Sequence, residues 1–192
     1  MTTRIDQRRA TTRKLILDAA WDLASAEGLA GIAMRPLASA VGMQAPSLYE
    51  YYPSKDAIYD AMFAEGNRAL AASYVGLPDP VDVGPTEALI ASTRRFIEFC
   101  NDNEARFTLM FQRSIPGWRP SDDAYQEAVD NLERLDGFLE RCGITDARSR
   151  DLWTAIVTGL ASQQVTNDPG GDRWLTLIEE TVDMFLAARR AT

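Results

Sequence analysis

The stretch "AMRPLASAVGMQAPSLYEYYPSKDAIYDAM", Ala33–Met62, decides the fold. Pro36 is tolerated in the first turn of a short helix from about Arg35 to Val41, because the N–H it lacks has no partner there. Gly42 supplies a turn. Pro46 opens a second short helix carrying Ser47 to about Tyr51, and Pro53 ends it. Ser54 then caps a long helix that turns Ile58, Met62 and Leu70 inward. Two short helices joined at a glycine and braced by a longer preceding one make a helix-turn-helix unit. Its inward positions are Leu37, Ala38, Val41, Leu48 and Tyr52, over Ile16, Ala20 and Leu23.

Upstream, Leu15, Ile16, Ala19, Leu23 and Ala24 form one face of a helix from about Arg8 to Glu27, with Gly28 as its stop signal. Downstream, "VGLPDPVDVGP", Val75–Pro85, concentrates prolines, glycines and aspartates and is the best boundary in the chain. Helical periodicity then continues over roughly 85–101, 104–114, 121–142, 146–167 and 171–190. "SIPGWRP" and "NDPGGD" serve as separators. No segment alternates as a half-buried strand does. The expectation is an all-α protein of about nine helices. Residues 1–55 would form a three-helix helix-turn-helix DNA-binding domain, and 56–192 a helical ligand-binding and dimerisation domain.

Composition removes several function classes. With no histidine among 192 residues, a Ser-His-Asp triad, a Cys-His dyad and a histidine-bearing zinc site are all impossible within the chain. "GLAGIA" lacks the lysine and the spacing of a phosphate loop. Cys100 and Cys142 fit no metal or redox spacing and are expected as free thiols of a cytoplasmic protein. No apolar run approaches the ~20 residues of a membrane helix, and the basic N-terminus has no apolar segment behind it. An enzyme would have to rely on carboxylates such as Asp122, Asp123 or Asp130. These sit in "SDDAYQEAVDNLERLDGFLE", a pattern of a solvated amphipathic face with neither base nor metal beside it. No catalytic residue, metal or cofactor is expected.

Charge is unevenly placed. Seven Lys/Arg against five acids leave residues 1–55 at +2, so the remainder carries −10 of the total −8. That is the balance of a polyanion-binding end on a body that repels polyanions, or simply of a basic tail on an acidic protein.

Helix-turn-helix corners occur in many all-α proteins that bind nothing, so the outward residues carry the functional argument. Lys55 opens its helix, where a cation is disfavoured by about a few tenths of a kcal/mol; a bound phosphate would reverse that sign. Tyr49 and Tyr51 place phenols at a helix edge, where they suit phosphate oxygens, although Tyr49 also suits a half-buried packing role. Gln44, Ala45, Pro46 and Ser47 let the second short helix approach base edges closely. Gln and Ser there can hydrogen-bond, and Ala and Pro can touch a thymine methyl. Arg35 can reach a phosphate or a guanine.

The segment "ILDAAWDLASAEGLAGIAMRPLASAVGMQAPSLYEYYPSKDAIYDAM" resembles the N-terminal domain of TetR-family transcriptional regulators. The resemblance rests on "AAWDLASAEG" in the first helix, "MRPLASAVGM" across the turn, "APSLYEYY" as reading helix and "PSKDAIY" opening helix four. More loosely, "DLWTAIVTGLASQQV" and the final amphipathic helix resemble the ligand-binding half of a TetR subfamily. The family implies base or groove contacts from Arg35, Gln44, Ala45, Pro46 and Ser47, and phosphate contacts from Tyr49, Tyr51 and Lys55. Three departures stand out. Ala33 and Met34 replace a Ser/Thr cap, Glu50 puts an acid on the reading helix, and Thr158 stands where that subfamily often has histidine.

The resemblance also implies a homodimer formed through the last two helices, which carry Trp153, Ile156, Val157 and Leu160 with small residues Ala155, Gly159 and Ser162, then Trp174 to Leu186. It implies a cavity for a small, largely apolar effector. Candidates are Phe96, Cys100, Phe107, Met110, Phe111, Trp118, Tyr125, Trp153 and Val157, with Gln163 or Gln164 as further polar groups, although each aromatic taken alone is ordinary core. The expected function is that of a ligand-responsive, homodimeric repressor bound to a roughly palindromic double-stranded operator, with no membrane partner. A helical small-molecule binder without DNA binding is the rival reading.

Overall fold

The structure, a computed structural model, describes residues 3–190, and every regular element among them is helical. Helix α1, Arg4–Glu27, starts four residues earlier than hydrophobic periodicity indicates. Thr3 caps it reciprocally: the Thr3 hydroxyl accepts from the Asp6 N–H, and the Asp6 carboxylate accepts from the Thr3 N–H. The Thr3 hydroxyl and then its N–H hold the Asp6 carboxyl below the usual carboxylate range. Thr11 and Thr12, weak helix formers, return their hydroxyls to the carbonyls of Gln7 and Arg8 at 3.0 Å. The buried stripe of α1 is Ile16, Leu17, Ala20 and Ala24. Leu15, expected inside, is 53% exposed, because the stripe is rotated by one residue from the expected face.

Gly28, at φ 75°, ends α1 as expected. A 3₁₀ turn, Leu29–Gly31, follows, and the buried Tyr59 hydroxyl donates to the Leu29 carbonyl at 2.7 Å. Helices α2 (Met34–Ala40), α3 (Ala45–Tyr49) and α4 (Lys55–Ser73) come next. Leu37, Leu48, Ile58 and Met62 are fully buried, as their spacing predicts, while Val41 and Leu23 are only half-buried. The Ser54 hydroxyl accepts from the Ala57 N–H at 3.1 Å, the expected cap of α4.

The stretch read as the best boundary in the chain holds one helical turn, α5 (Pro80–Val83), whose preceding Asp79 carboxylate accepts from the Val81 N–H. Then follow α6 (Pro85–Asn101), α7 (Glu104–Phe111), α8 (Asp122–Arg141), α9 (Ala147–Asn167) and α10 (Ile178–Arg190). With α5, the described residues form ten α-helices. The last helix begins at Ile178, preceded by a 3₁₀ turn Leu175–Leu177, rather than near residue 171. Fully buried Gln164 explains the delay. Its amide donates to the Asp168 carbonyl and its oxygen accepts from the Trp174 N–H, fixing a turn that the helix must first leave. Gln164 is therefore committed to this turn and is not free to line a cavity.

The chain forms two compact units, and the division falls inside α4, after the first residue of α7, and inside α8. The first holds the described residues up to Asn67 together with Ala105–Glu127. Within it, α1 packs on α2 and α2 on α3. At Gly66 a Cβ would lie 2.7 Å from the Met110 sulfur, so α4 and α7 approach closely there. Trp118 lies against Tyr59 and Phe63 at ring-centre distances of 5.5 and 6.1 Å. Its Nε1–H and the Ser121 N–H both donate to the Asp60 carboxylate at 3.2 Å.

The second unit holds Arg68–Glu104 and the described residues from Ala128 onward. Here α6 is central, packing on α9 and α10, and its buried residues include Leu89, Phe96, Ile97 and Cys100. Trp153 meets Phe185 at 4.9 Å, a tilted aromatic pair contributing about 1 kcal/mol beyond area burial. No helix among the described residues is long and apolar enough to cross a membrane.

Candidate nucleic-acid interface

The turn between α2 and α3 is built from the backbone. Met43 N–H donates to the Ala38 carbonyl at 2.8 Å and Gly42 N–H to the Ser39 carbonyl at 3.1 Å. Gly42 sits at φ 68°, a left-handed conformation that costs a side-chain-bearing residue about 1 kcal/mol or more. Helix α2 lacks a side-chain cap at Ala33, a loss of about 1 kcal/mol relative to Ser or Thr. Its retention on α1 therefore depends on buried Leu37 and Ala38.

Around this scaffold the structure gathers all eight proposed reading residues. Arg35, Gln44, Pro46 and Tyr49 are exposed, with Tyr49 at 48%, while Ala45, Ser47, Tyr51 and Lys55 are half-buried. Gln44 is the N-cap of α3 and makes no side-chain capping bond, which leaves its amide available. Glu50, the acid at the end of α3, is exposed. Lys55 has structural work as well: its ammonium donates to the Ala30 carbonyl at 3.2 Å and lies 5.3 Å from the Tyr59 ring centre. An ammonium has three protons, so this bond leaves two for another acceptor.

Two residues that hydrophobic patterning missed hold the end of α3 in place. Arg9 donates to the Glu50 carbonyl at 2.8 Å and Arg13 to the Tyr51 carbonyl at 2.7 Å. Their guanidiniums also lie 5.6 Å from the Tyr51 ring and 4.4 Å from the Tyr52 ring. Two cations thus sit at the C-terminal end of α3, where the carbonyls are unsatisfied and the helix dipole is negative. The available signal was the pair of arginines four residues apart on α1, beside a five-residue helix that cannot hold itself. Trp21, also missed, donates from its indole to Glu65 at 2.7 Å. Beside the arginines a surface recess of about 430 Å³ is lined by Arg4, Ile5, Arg8, Arg9 and Tyr51.

The proposed effector residues divide between the units. Phe107, Met110, Phe111, Trp118 and Tyr125 belong to the first, and Phe96, Cys100, Trp153 and Val157 to the second. In the first, Phe107 is buried and lies 5.7 Å from Phe111, while Tyr125, 48% exposed, stacks on Phe63. In the second, Phe96, Cys100 and Trp153 are buried and Val157 is half-buried. Asp122 and Asp123 are exposed, and no group of three metal-ligating side chains occurs among the described residues.

Residues 16–62 match the family model of bacterial regulatory proteins, tetR family. The chain is similar to the HTH-type transcriptional repressor DrrR1 of Streptomyces coeruleorubidus, at 29% identity over 145 residues, which cover 74% of this chain and 47% of that protein. The match thus spans about half the length of that relative. Among solved structures, a TetR-like transcriptional regulator from Rhodococcus sp. RHA1 superposes with a TM-score of 0.68 at 20% identity, covering 91% of this chain and 96% of that one. FadR of Bacillus subtilis, solved in complex with stearoyl-CoA, does so with a TM-score of 0.64 at 16% identity, covering 90% and 96%. At these identities the likeness is one of fold. The matched family and the curated relative are regulators, not enzymes.

Proposed function

We propose that this chain belongs to the tetR family of bacterial regulatory proteins, whose model residues 16–62 match, and that it is a homodimeric repressor released from its operator by a small, largely apolar effector. The observation that carries DNA reading is the joint display of Arg35, Gln44, Pro46 and Tyr49 on exposed positions of α2 and α3, over a core of fully buried Leu37 and Leu48. Gln44 and Ser47 hydrogen-bond to base edges, Ala45 and Pro46 meet thymine methyls, and Arg35 takes a phosphate or a guanine. Tyr49, Tyr51 and Lys55 hold phosphates and fix the register. In this division of labour residues 1–55 read DNA, and 56–192 bind effector and partner.

Two copies are needed because one such motif makes few base contacts; a two-fold dimer presents two, about one helical turn of DNA apart. The dimer reading is supported by apolar positions left open in the single chain: Leu152 is 51% exposed on α9, and Leu177 and Met184 are 41% and 62% exposed at and before α10. Binding of effector then favours a dimer with different spacing of the motifs, acting through α4. A coupling of about 1–3 kcal/mol lowers operator affinity about 5- to 150-fold. The apolar character of the effector draws on the aromatic residues named above. The stearoyl-CoA complex of FadR supplies an acyl thioester as a first compound to try. The protein acts in the cytoplasm, where its DNA is.

Fluorescence anisotropy with a duplex selected from a random pool tests this reading. Expected is tight binding that weakens steeply with salt. Gln44→Ala should change the preferred sequence, whereas Lys55→Ala should weaken selected and random duplexes alike. Absence of salt-sensitive binding to any duplex would sink the proposal.

A further inference from the structure

The net positive charge of the N-terminal part arises in one short stretch. Between residues 4 and 14, Arg4, Arg8, Arg9, Arg13 and Lys14 face Asp6 alone, a surplus of four. From 15 to 55, Arg35 and Lys55 are outnumbered by Asp18, Asp22, Glu27 and Glu50. The proposed reading face is therefore not where most of the cationic charge sits.

Three of those five cations are already engaged. Arg9 and Arg13 donate to carbonyls at the end of α3, and Lys14 pairs with Asp18. Arg4 and Arg8 have no ion-pair partner among the described residues. They stand four residues apart on α1, on one face, where like charges repel by about a few tenths of a kcal/mol. Both line the recess that also takes in Tyr51 and Ile5. Ile5 is 79% exposed, so it has no core role there. A recess whose lining combines two guanidiniums, a phenol and an exposed apolar side chain matches a phosphodiester with its attached deoxyribose better than it matches a free anion.

We propose that Arg4 and Arg8, together with Tyr51, form a clamp for a backbone phosphate of duplex DNA beside the reading helix. The clamp rests on the DNA-reading function proposed above and adds contacts outside the face of α2 and α3. Arg9 is its positioning residue: bound to the Glu50 carbonyl, it ties the recess to the end of α3, so that phosphate capture and base reading share one register.

The test compares the wild type, Arg4→Ala/Arg8→Ala and Arg4→Lys/Arg8→Lys, each as the full chain and checked for native helix content. Anisotropy is measured on the selected duplex and on a random-sequence duplex across a salt series. Two lost phosphate contacts reduce the slope of log affinity against log salt by about two, so raising salt about fourfold shrinks the wild-type advantage about tenfold. The alanine variant should lose affinity equally for both duplexes and keep the same sequence preference, and the lysine variant should recover the slope. An unchanged slope in the alanine variant, with the wild type binding normally, overturns the clamp and leaves the DNA-reading function standing. A changed sequence preference overturns it too, since the arginines would then be reading bases. Wild type that binds no duplex overturns both. Calorimetry with inorganic phosphate in place of DNA should give no saturable heat; saturable binding lost in the alanine variant would reassign the recess to a free anion.

Discussion

Cys142 shows how burial sets chemistry at the level of one side chain. Burial pushes its thiol up to about 11, with Arg141 pulling down and Asp79 pushing up by smaller amounts. At pH 8 roughly one molecule in a thousand then carries the reactive thiolate. Cys100, fully buried, is also free of any disulfide. Thiol titration of the native protein at pH 8 should therefore be slow at both positions and rapid after denaturation. A prompt one-thiol burst from native protein would contradict the burial of Cys142. The same shift acts on stability. Between the ordinary 9.0 and about 11 the unfolded chain ionises this thiol and the folded chain does not, so stability falls as pH rises through that window. That neither cysteine forms a disulfide was legible from their spacing. Their burial was not, because Cys142 follows the end of an amphipathic helix and only the packed neighbours decide which side of it is closed.

Among the elements, α3 is the one that cannot stand alone. Five residues close barely one turn, and an isolated helix of that length is unstable in water. Leu48 anchors it from below, and Arg9 and Arg13 hold its last carbonyls from α1. Arg13→Ala removes a charge-assisted bond and the packing of a guanidinium over Tyr52. The expected loss is about 1 kcal/mol of stability, seen as a lower denaturation midpoint. In the proposed repressor, operator affinity should drop further than that, because α3 loses its fixed pose. If Arg13→Ala lowered neither stability nor affinity, the hold on α3 would be incidental. Sequence patterning located α2, α3 and α4 through Pro36, Gly42, Pro46 and Ser54, whose effects are local. It mistook the start of α1 and the buried face there, since a capping box at Thr3 and a one-residue rotation of the stripe lie outside what apolar spacing records.

At the scale of the whole molecule, α9 bears on the proposed contact with a second copy. In α9 the residues facing the core of the second unit are Trp153, Ala161, Gln164 and Val165, while Leu152, Ala155 and Gly159 are exposed. A Cβ at Gly159 would meet nothing within 4 Å in the single chain. Gly159→Ala should therefore stabilise the isolated helix by about 1 kcal/mol, and Gly159→Arg should be accepted by the folded monomer. In the proposed dimer, where small residues let helices approach, the arginine is excluded. Sedimentation should then show dimer for wild type and monomer for Gly159→Arg, with operator affinity reduced accordingly. A Gly159→Arg protein that remained dimeric and bound its operator normally would place the interface elsewhere.

The amino-acid sequence by itself determined the all-helical class, the turn at Gly42 and the short helices that carry the proposed reading residues. Each follows from backbone constraints at proline and glycine or from periodicity within a single helix, which need no distant partner. Only the tertiary structure decided which arginines are spent on holding α3 and which remain free, and that Gln164 is used up in closing a turn. It also decided that the aromatic candidates divide between two compact units. Those outcomes depend on contacts between residues far apart in the chain, such as Arg9 with Glu50, and spacing along a helix carries no record of what lies across from it.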